Sequence, residues 1–452
     1  VTNRVSKGQW DGVAIAAFVL LAFSFVFGGA SREHALRLTL VELASLPLLV
    51  LSLSRLVTTG QWRNHRFALG LAALIAAVPL IQLVPLPPAI WTGLAGRSEM
   101  VLALELAGLQ PGLAPVSLSP DLTWQAFLAL LPPIAAFVGM LSLSQATATR
   151  IIAVYLIAAV LSVLLGAAQL ASGGQQLYVW ATTAAGSVNG LFANRNHLAT
   201  LLVVMLPFAV AMGAASLRRR HDDRRLPLWF GAVFIGIVVI GLAAIRSRAG
   251  VILLGPSIVL SLLAGWIAAG RGRPGPALIG LAAAFVVAIG AVSAVALPPI
   301  LERFDSQAAP EGRFENWPIV AGASDAYLPL GSGIGSFDAV FRSVEPLETL
   351  DPTFFNHAHN DYLELWLEAG WPAAALLIAF LIWYGRRTWA AWRAGTSRER
   401  DLQRAASVGI LMMLAHSAVD YPLRTATLAV LFAVCAALLE KAGQPSERQA
   451  ER

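Results

Sequence analysis

Two histidines two residues apart, His357 and His359 in the stretch FFNHAHNDYLELWLEAGW, are the best acid–base candidates of this chain, because imidazole is the side chain whose ordinary pKa lies near neutrality. The pair could also bind a metal ion, with Asp361 or Glu364 as further ligands. A third reading has one imidazole capping a helix that opens at Asp361, where Asp361 and Glu364 have the spacing of a capping box. His416 and Asp420 stand four apart, so one helical face could carry both; alternatively, Asp420 simply neutralises Arg424. Arg195, Arg246, Arg248, Arg313, Arg342 and Arg424 abut apolar runs or lie in a long polar segment. An arginine at the centre of a membrane span costs about 2.5–3.5 kcal/mol, so Arg246 and Arg248, and Arg195 beside His197, need a partner or a polar cavity. Several such arginines converging would suit a diphosphate, since guanidinium forks bind phosphate oxygens in pairs and stay charged. Each could instead snorkel to headgroups or pair with an acid. The GSGIG stretch, Gly331 to Gly335, reads as a turn that could form a backbone anion nest; no strand precedes it, so it is not a dinucleotide fingerprint.

The elements that must position these residues follow from composition. Of 452 residues, 57% are hydrophobic and only 13% charged, far from a soluble globular chain. A span takes about 20 apolar residues, and a helix satisfies its own backbone in lipid. Spans are expected at about 12–30, 36–54, 67–86, 123–142, 151–170, 197–216, 227–245, 249–268, 277–297, 369–385, 405–419 and 425–440. The expected fold is therefore an all-α polytopic membrane protein of about twelve helices. It divides into spans one to nine (1–297), a cap loop (298–366), and spans ten to twelve with a tail (367–452). The first run could pass for a cleavable signal peptide; a retained span fits the charge count better. With both termini cytoplasmic, 22 of the 32 lysines and arginines face the cytoplasm, which sets the orientation by the positive-inside rule. The arginine runs then serve as topology anchors, and no nucleic-acid partner is expected. The 298–366 segment carries eleven acidic residues and three arginines with aromatic residues and glycine turns, the makeup of a folded cap rather than a linker. Helices are expected in it from about Arg313 to Asp325 and from Asp361. Cys435 is the one cysteine, so no intrachain disulfide or thiol cluster forms.

In chain order, GLFANRNHLAT, RSRAG, GRFENW, GSGIGSF, HAHNDYLELWLEAGW and HSAVDYPLR, from Gly190 to Arg424, resemble the O-antigen ligase and O-antigen polymerase-like superfamily. The resemblance implies a multi-span glycosyltransferase of the lipid-linked-sugar class (GT-C-like) in the bacterial inner membrane, with its active site facing the periplasm. Such an enzyme takes a glycan from an undecaprenyl-diphosphate-linked donor and passes it to lipid A-core or a growing glycan, without cofactor, metal or nucleotide sugar. Its implied partners are that donor, that acceptor and membrane lipids. Residue by residue, Arg248 matches the arginine of a Ser-Arg-Gly-like motif, with Ala249 where glycine is usual; Arg313 matches the cap arginine; His359 matches the histidine preceding asparagine, here Asn360. These three are the catalytic candidates. Arg248 and Arg313 would stabilise the diphosphate, and His359 would deprotonate or orient the acceptor hydroxyl. Arg195, Arg246, His357, Asn360, Asp420 and Arg424 are the substrate-binding candidates; at Arg195 the family often has proline.

A ligase acting on lipid A-core is the leading expectation, and a polymerase using the same donor is the alternative. A twelve-span transporter would show related halves and a midplane site, whereas here the halves look unrelated and the polar residues crowd one end. A non-catalytic assembly partner is the remaining reading.

Overall fold

The computed structural model describes residues 11–31, 35–172, 177–180, 187–216, 225–270, 290, 312–347 and 355–442. Among these, every regular element is helical, with one isolated bridge between Leu86 and Ala114. The helices are α1 (Gly12–Phe27), α2 (Ala35–Thr58), α3 (Arg66–Gln82), α4 (Pro88–Trp91), α5 (Ser98–Leu106), α6 (Pro120–Leu128), α7 (Leu131–Ser142) and α8 (Gln145–Ala171). They continue with α9 (Arg195–Ser216), α10 (Arg225–Ile245), α11 (Arg248–Ala268), α12 (Gly312–Asp325), α13 (Phe337–Val344), α14 (Asp361–Arg393), α15 (Arg398–Ser417) and α16 (Ala426–Glu440). Short polar residues start several of them: Asp11, Ser144, Ser247 and Ser397 each accept a hydrogen bond from a first-turn N–H, as N-caps do.

Helices stand at eleven of the twelve expected span positions, and the expected span at 277–297 lies outside the described residues. Among the described residues, by length and apolarity alone, seven qualify to cross a membrane: α2, α3 with its preceding turn, α6 with α7, α8, α9, α11 and α14; α1, α16 and part of α10 are shorter apolar helices. Helix α15 falls short because Arg398, Glu399, Arg400, Asp401 and Arg404 occupy its first two turns.

Helix α9 is the centre of the bundle, with Leu198, Leu202, Met205 and Phe208 all buried, enclosed by α8, α10, α11 and α15. Small residues let the backbones close up. A Cβ on Gly250 would stand 2.8 Å from Ala199, and one on Gly265 2.9 Å from Val210, so α11 runs parallel to α9. Thr200 bonds His416, and Gly409 lies against Val204, so α15 runs antiparallel. The first residues of α9 and α11 and the last turn of α15 therefore meet at one end of the bundle, called here the cap end.

The cap has its own small core: Val320 from α12, Phe337, Val340 and Phe341 from α13, and Ala358 and Leu367. The expected helix at Arg313 to Asp325 is α12; α13 was not anticipated. The expected helix opening at Asp361 is one element with span ten, broken at Gly370, whose φ of 49° and ψ of −132° are not helical. There Trp371 N–H reaches Pro329 O at 3.0 Å. This contact docks the cap on the span.

Gly370→Ala would meet both a left-handed φ and the Pro329 carbonyl, 2.4 Å from the new Cβ. We expect it to destabilise the protein by about 1–3 kcal/mol, read as a lower thermal unfolding midpoint in detergent. An unchanged midpoint would show the kink to be dispensable.

Candidate active site

The loop before α9 is fixed by one glutamine. Gln169 of α8 accepts from the N–H groups of Asn189 and Gly190 and donates to Leu177 O and Gly190 O. Gly190 has φ 59°, and a Cβ there would stand 2.2 Å from Ser162 Oγ, so only glycine fits. Asn194 Oδ1 then accepts from Asn196 N–H, opening α9 at Arg195.

From that first turn Asn196 donates to Asp420 Oδ2 at 2.7 Å. Asp420 follows α15, is fully buried, and accepts at Oδ1 from Tyr421 N–H at 2.9 Å. The same oxygen faces His359 Nδ1 at 3.2 Å. Burial would raise the Asp420 pKa, but the hydrogen bond and charge of His359, with the fields of His197 and His416, hold it well below the usual carboxylate range. Asp420 is therefore ionised at any working pH. The stability it lends is complete above its unfolded pKa of about 4 and is lost progressively as pH falls from there through its lower folded value. An ionised carboxylate only accepts, so His359 Nδ1 carries the proton, and Nε2 is left as the basic nitrogen. The His359 side chain is 21% exposed while its partner is closed off. Its backbone is left-handed at φ 50°.

His357 faces the other way. Its Nδ1 lies 2.8 Å from Glu364 Oε1, it is 2% exposed, and Glu364 Oε2 accepts from Ala358 N–H. The two imidazoles thus turn to different carboxylates, and among the described residues no group of three or more His, Cys, Asp or Glu side chains is arranged to hold a metal ion.

The cap of α14 is Asn360 rather than Asp361: its Oδ1 accepts from Tyr362 and Leu363 N–H at 3.1 Å. The expected capping box is thereby corrected. With the cap supplied by asparagine, Asp361, Glu364 and Glu368 are free to line one buried face of the helix. Ser417 donates to Asp361 at 2.8 Å. Arg424 reaches Asp361 at 3.4 Å, Glu364 at 3.4 Å and Glu368 at 3.3 Å. Burial would lower the Arg424 pKa, but Glu364, Glu368 and Asp361 raise it above its ordinary value, so it stays charged. Arg424 pairs with this trio, and Asp420 is engaged elsewhere.

The glycine turn completes the trio's surroundings. Gly331, Gly333 and Gly335 all have positive φ, and the N–H groups of Gly335 and Phe337 donate to Glu368 Oε1 at 2.8 and 3.2 Å. Ile334 N–H donates to Gln82 Oε1 at 2.9 Å. The nest exists, and its anion is the chain's own Glu368.

Arg195 and Arg248 are the first residues of the neighbouring helices α9 and α11, where helix N-termini favour anions. Arg246 is exposed with a left-handed φ of 54°. Arg313 lies in α12 one turn before Trp317, whose indole N–H donates to Ala358 O at 2.8 Å, between the two histidines. Arg342 pairs with Asp338 on the exposed face of α13, a surface contact of little energetic weight. His416 Nδ1 is 2.6 Å from Thr200 Oγ1. Asn194, Asn196, Glu368 and Tyr421 also build the site and are not among the candidates drawn from sequence. Asn194 and Asn196 had a signal: an Asn-x-Asn opening an apolar helix reads as a cap with one amide to spare.

Residues 231–378 match the family model described as O-antigen ligase. Over that segment the chain is similar to the O-antigen ligase-like superfamily. That match, with the apolar helices, supports a glycan-transferring membrane enzyme of the O-antigen ligase and polymerase kind. No curated protein matches the chain. The O-antigen ligase segment contains Arg248, Arg313 and His359 but ends before Asp420 and Arg424; folding brings those two to it.

Arg424→Met would leave three buried carboxylates without their cation. Breaking such a pair costs about 3–5 kcal/mol, so we expect a large drop in unfolding midpoint and in membrane abundance. Wild-type stability would show that the trio is neutralised in another way.

Proposed function

We propose that the chain is a ligase that transfers a glycan from undecaprenyl diphosphate to a lipid A-core hydroxyl at the periplasmic face of the bacterial inner membrane. The observation that carries this reading is the His359–Asp420 pair: a partly exposed imidazole whose Nδ1 is held by a buried, ionised carboxylate, at the cap end where Arg195 and Arg248 begin their helices.

In this reading His359 Nε2 takes the proton from the acceptor hydroxyl as its oxygen attacks the anomeric carbon. The bond from that carbon to the diphosphate oxygen breaks, and undecaprenyl diphosphate leaves with the bonding pair. Arg248 and Arg313 stabilise the charge that gathers on it, with Arg195 and Arg246 as further phosphate contacts. Asn360 shapes the histidine loop through its cap. The divergence of His357 and His359 supports transfer without a metal. His357 and Arg424 act from beneath, through Glu364 and the acidic trio, rather than on the substrate.

Purified protein with a synthetic undecaprenyl-diphosphate glycan and lipid A-core tests this directly. His359→Ala should lower kcat by about 10²–10⁴-fold, Arg313→Ala by about 10²–10³-fold, and a chelator should leave wild-type transfer intact. Full transfer by both variants would sink the site; chelator loss restored by a divalent ion would bring back the metal reading. A deletion strain separates the acceptors: polymer stranded on carrier lipid marks a ligase, single repeat units a polymerase.

A further inference from the structure

Tyr421 has no assigned role, yet three imidazoles meet its ring: His357 at 4.4 Å, His359 at 4.8 Å and His197 at 5.3 Å between centroids. It is 8% exposed. Its phenol lies near the side chains of Asn194 and Asn356, between the loop before α9 and the histidine loop. Its backbone N–H donates to Asp420.

His359 needs such support. Its φ of 50° is a conformation that side-chain-bearing residues adopt at a cost of about 1–3 kcal/mol. Asp420 fixes one ring nitrogen at 3.2 Å, but a single contact leaves the ring free to tilt. Tyr421 meets the ring at 64° and Phe355 meets it at 5.6 Å. Phe355 belongs to the cap core with Phe337 and Phe341, so the tyrosine is the ring that meets His359 from the bundle side.

The phenol is not a second acid or base. Burial and the Asp420 carboxylate push it above its ordinary pKa of about 10, so it stays protonated. Its contribution is geometric.

We propose that Tyr421 is the positioning residue that holds the His359 imidazole in register for transfer, chiefly through its ring. This rests on His359 being the base. A small misplacement of a catalytic group can cost about 10²-fold.

The test measures kcat and KM for the undecaprenyl-diphosphate glycan with Tyr421→Phe, Tyr421→Leu, His359→Ala and the double variant Tyr421→Leu/His359→Ala. Tyr421→Leu should lose about 10- to 100-fold in kcat with KM within about 2-fold of wild type. Tyr421→Phe, which keeps the ring, should recover most of that loss. The double variant should be no worse than His359→Ala, because the tyrosine acts through the histidine. If Tyr421→Leu fails to fold, Tyr421→Trp replaces it, with a displaced ring and the same kcat loss expected. Wild-type kcat in the ring-altered variant, a KM effect alone, or full additivity with His359→Ala would overturn the positioning role. Full transfer by His359→Ala would instead overturn the base assignment beneath it.

Discussion

Four carboxylates, Asp361, Glu364, Glu368 and Asp420, are buried together at the cap end of the bundle. Taking each out of water costs several kcal/mol unless it is paired and hydrogen-bonded. Much of the surrounding architecture supplies those partners. Arg424 comes from the turn before α16, Ser417 from the end of α15, Ala358 N–H from the histidine loop and Gly335 N–H from the glycine turn. Asn196 comes from α9. Segments far apart in sequence are thus tied to one cluster of negative charge, and a fault in any partner is felt by all of them.

The histidine loop lies between two members of this cluster. Glu364 holds His357 and Ala358 from the α14 side, and Asp420 holds His359 from the α15 side. Asn360 then starts the helix at once. A chain pinned at both ends over so few residues has little freedom, which accounts for the left-handed backbone at His359. Strain of this kind persists only where neighbours over-determine the conformation. Here one imidazole is buried as structure and the other is presented. The same division explains why two histidines two residues apart do not converge as a metal pair.

Helix positions were legible because apolar runs of about twenty residues have few other uses. The folded nature of the cap was legible from its aromatic residues and glycine turns, and the helix expected from about Arg313 to Asp325 stands as α12. His359 and the outlying arginines stood out because their chemistry is rare next to apolar runs. What could not be read is pairing at long range. Asp420 had Arg424 four residues away and His416 four residues before it, and either looked a better partner than His359, 61 residues distant. Arg424 likewise found its carboxylates about 60 residues back. Local spacing ranks near neighbours first, while burial selects whichever opposite charge the fold delivers. The capping box failed for a smaller reason: Asn360 offers the better cap, which frees Asp361 to face inward.

In this mechanism the buried, ionised Asp420 sets the tautomer and aim of His359. The most direct measurement is the single-turnover rate of glycan transfer by Asp420→Asn, alongside its equilibrium affinity for the lipid-linked donor. Asparagine fills the same space but cannot hold the imidazole as an anion does. We expect a rate about 10²–10⁴-fold below wild type with donor affinity unchanged. A wild-type rate, or a loss confined to donor affinity, would contradict it.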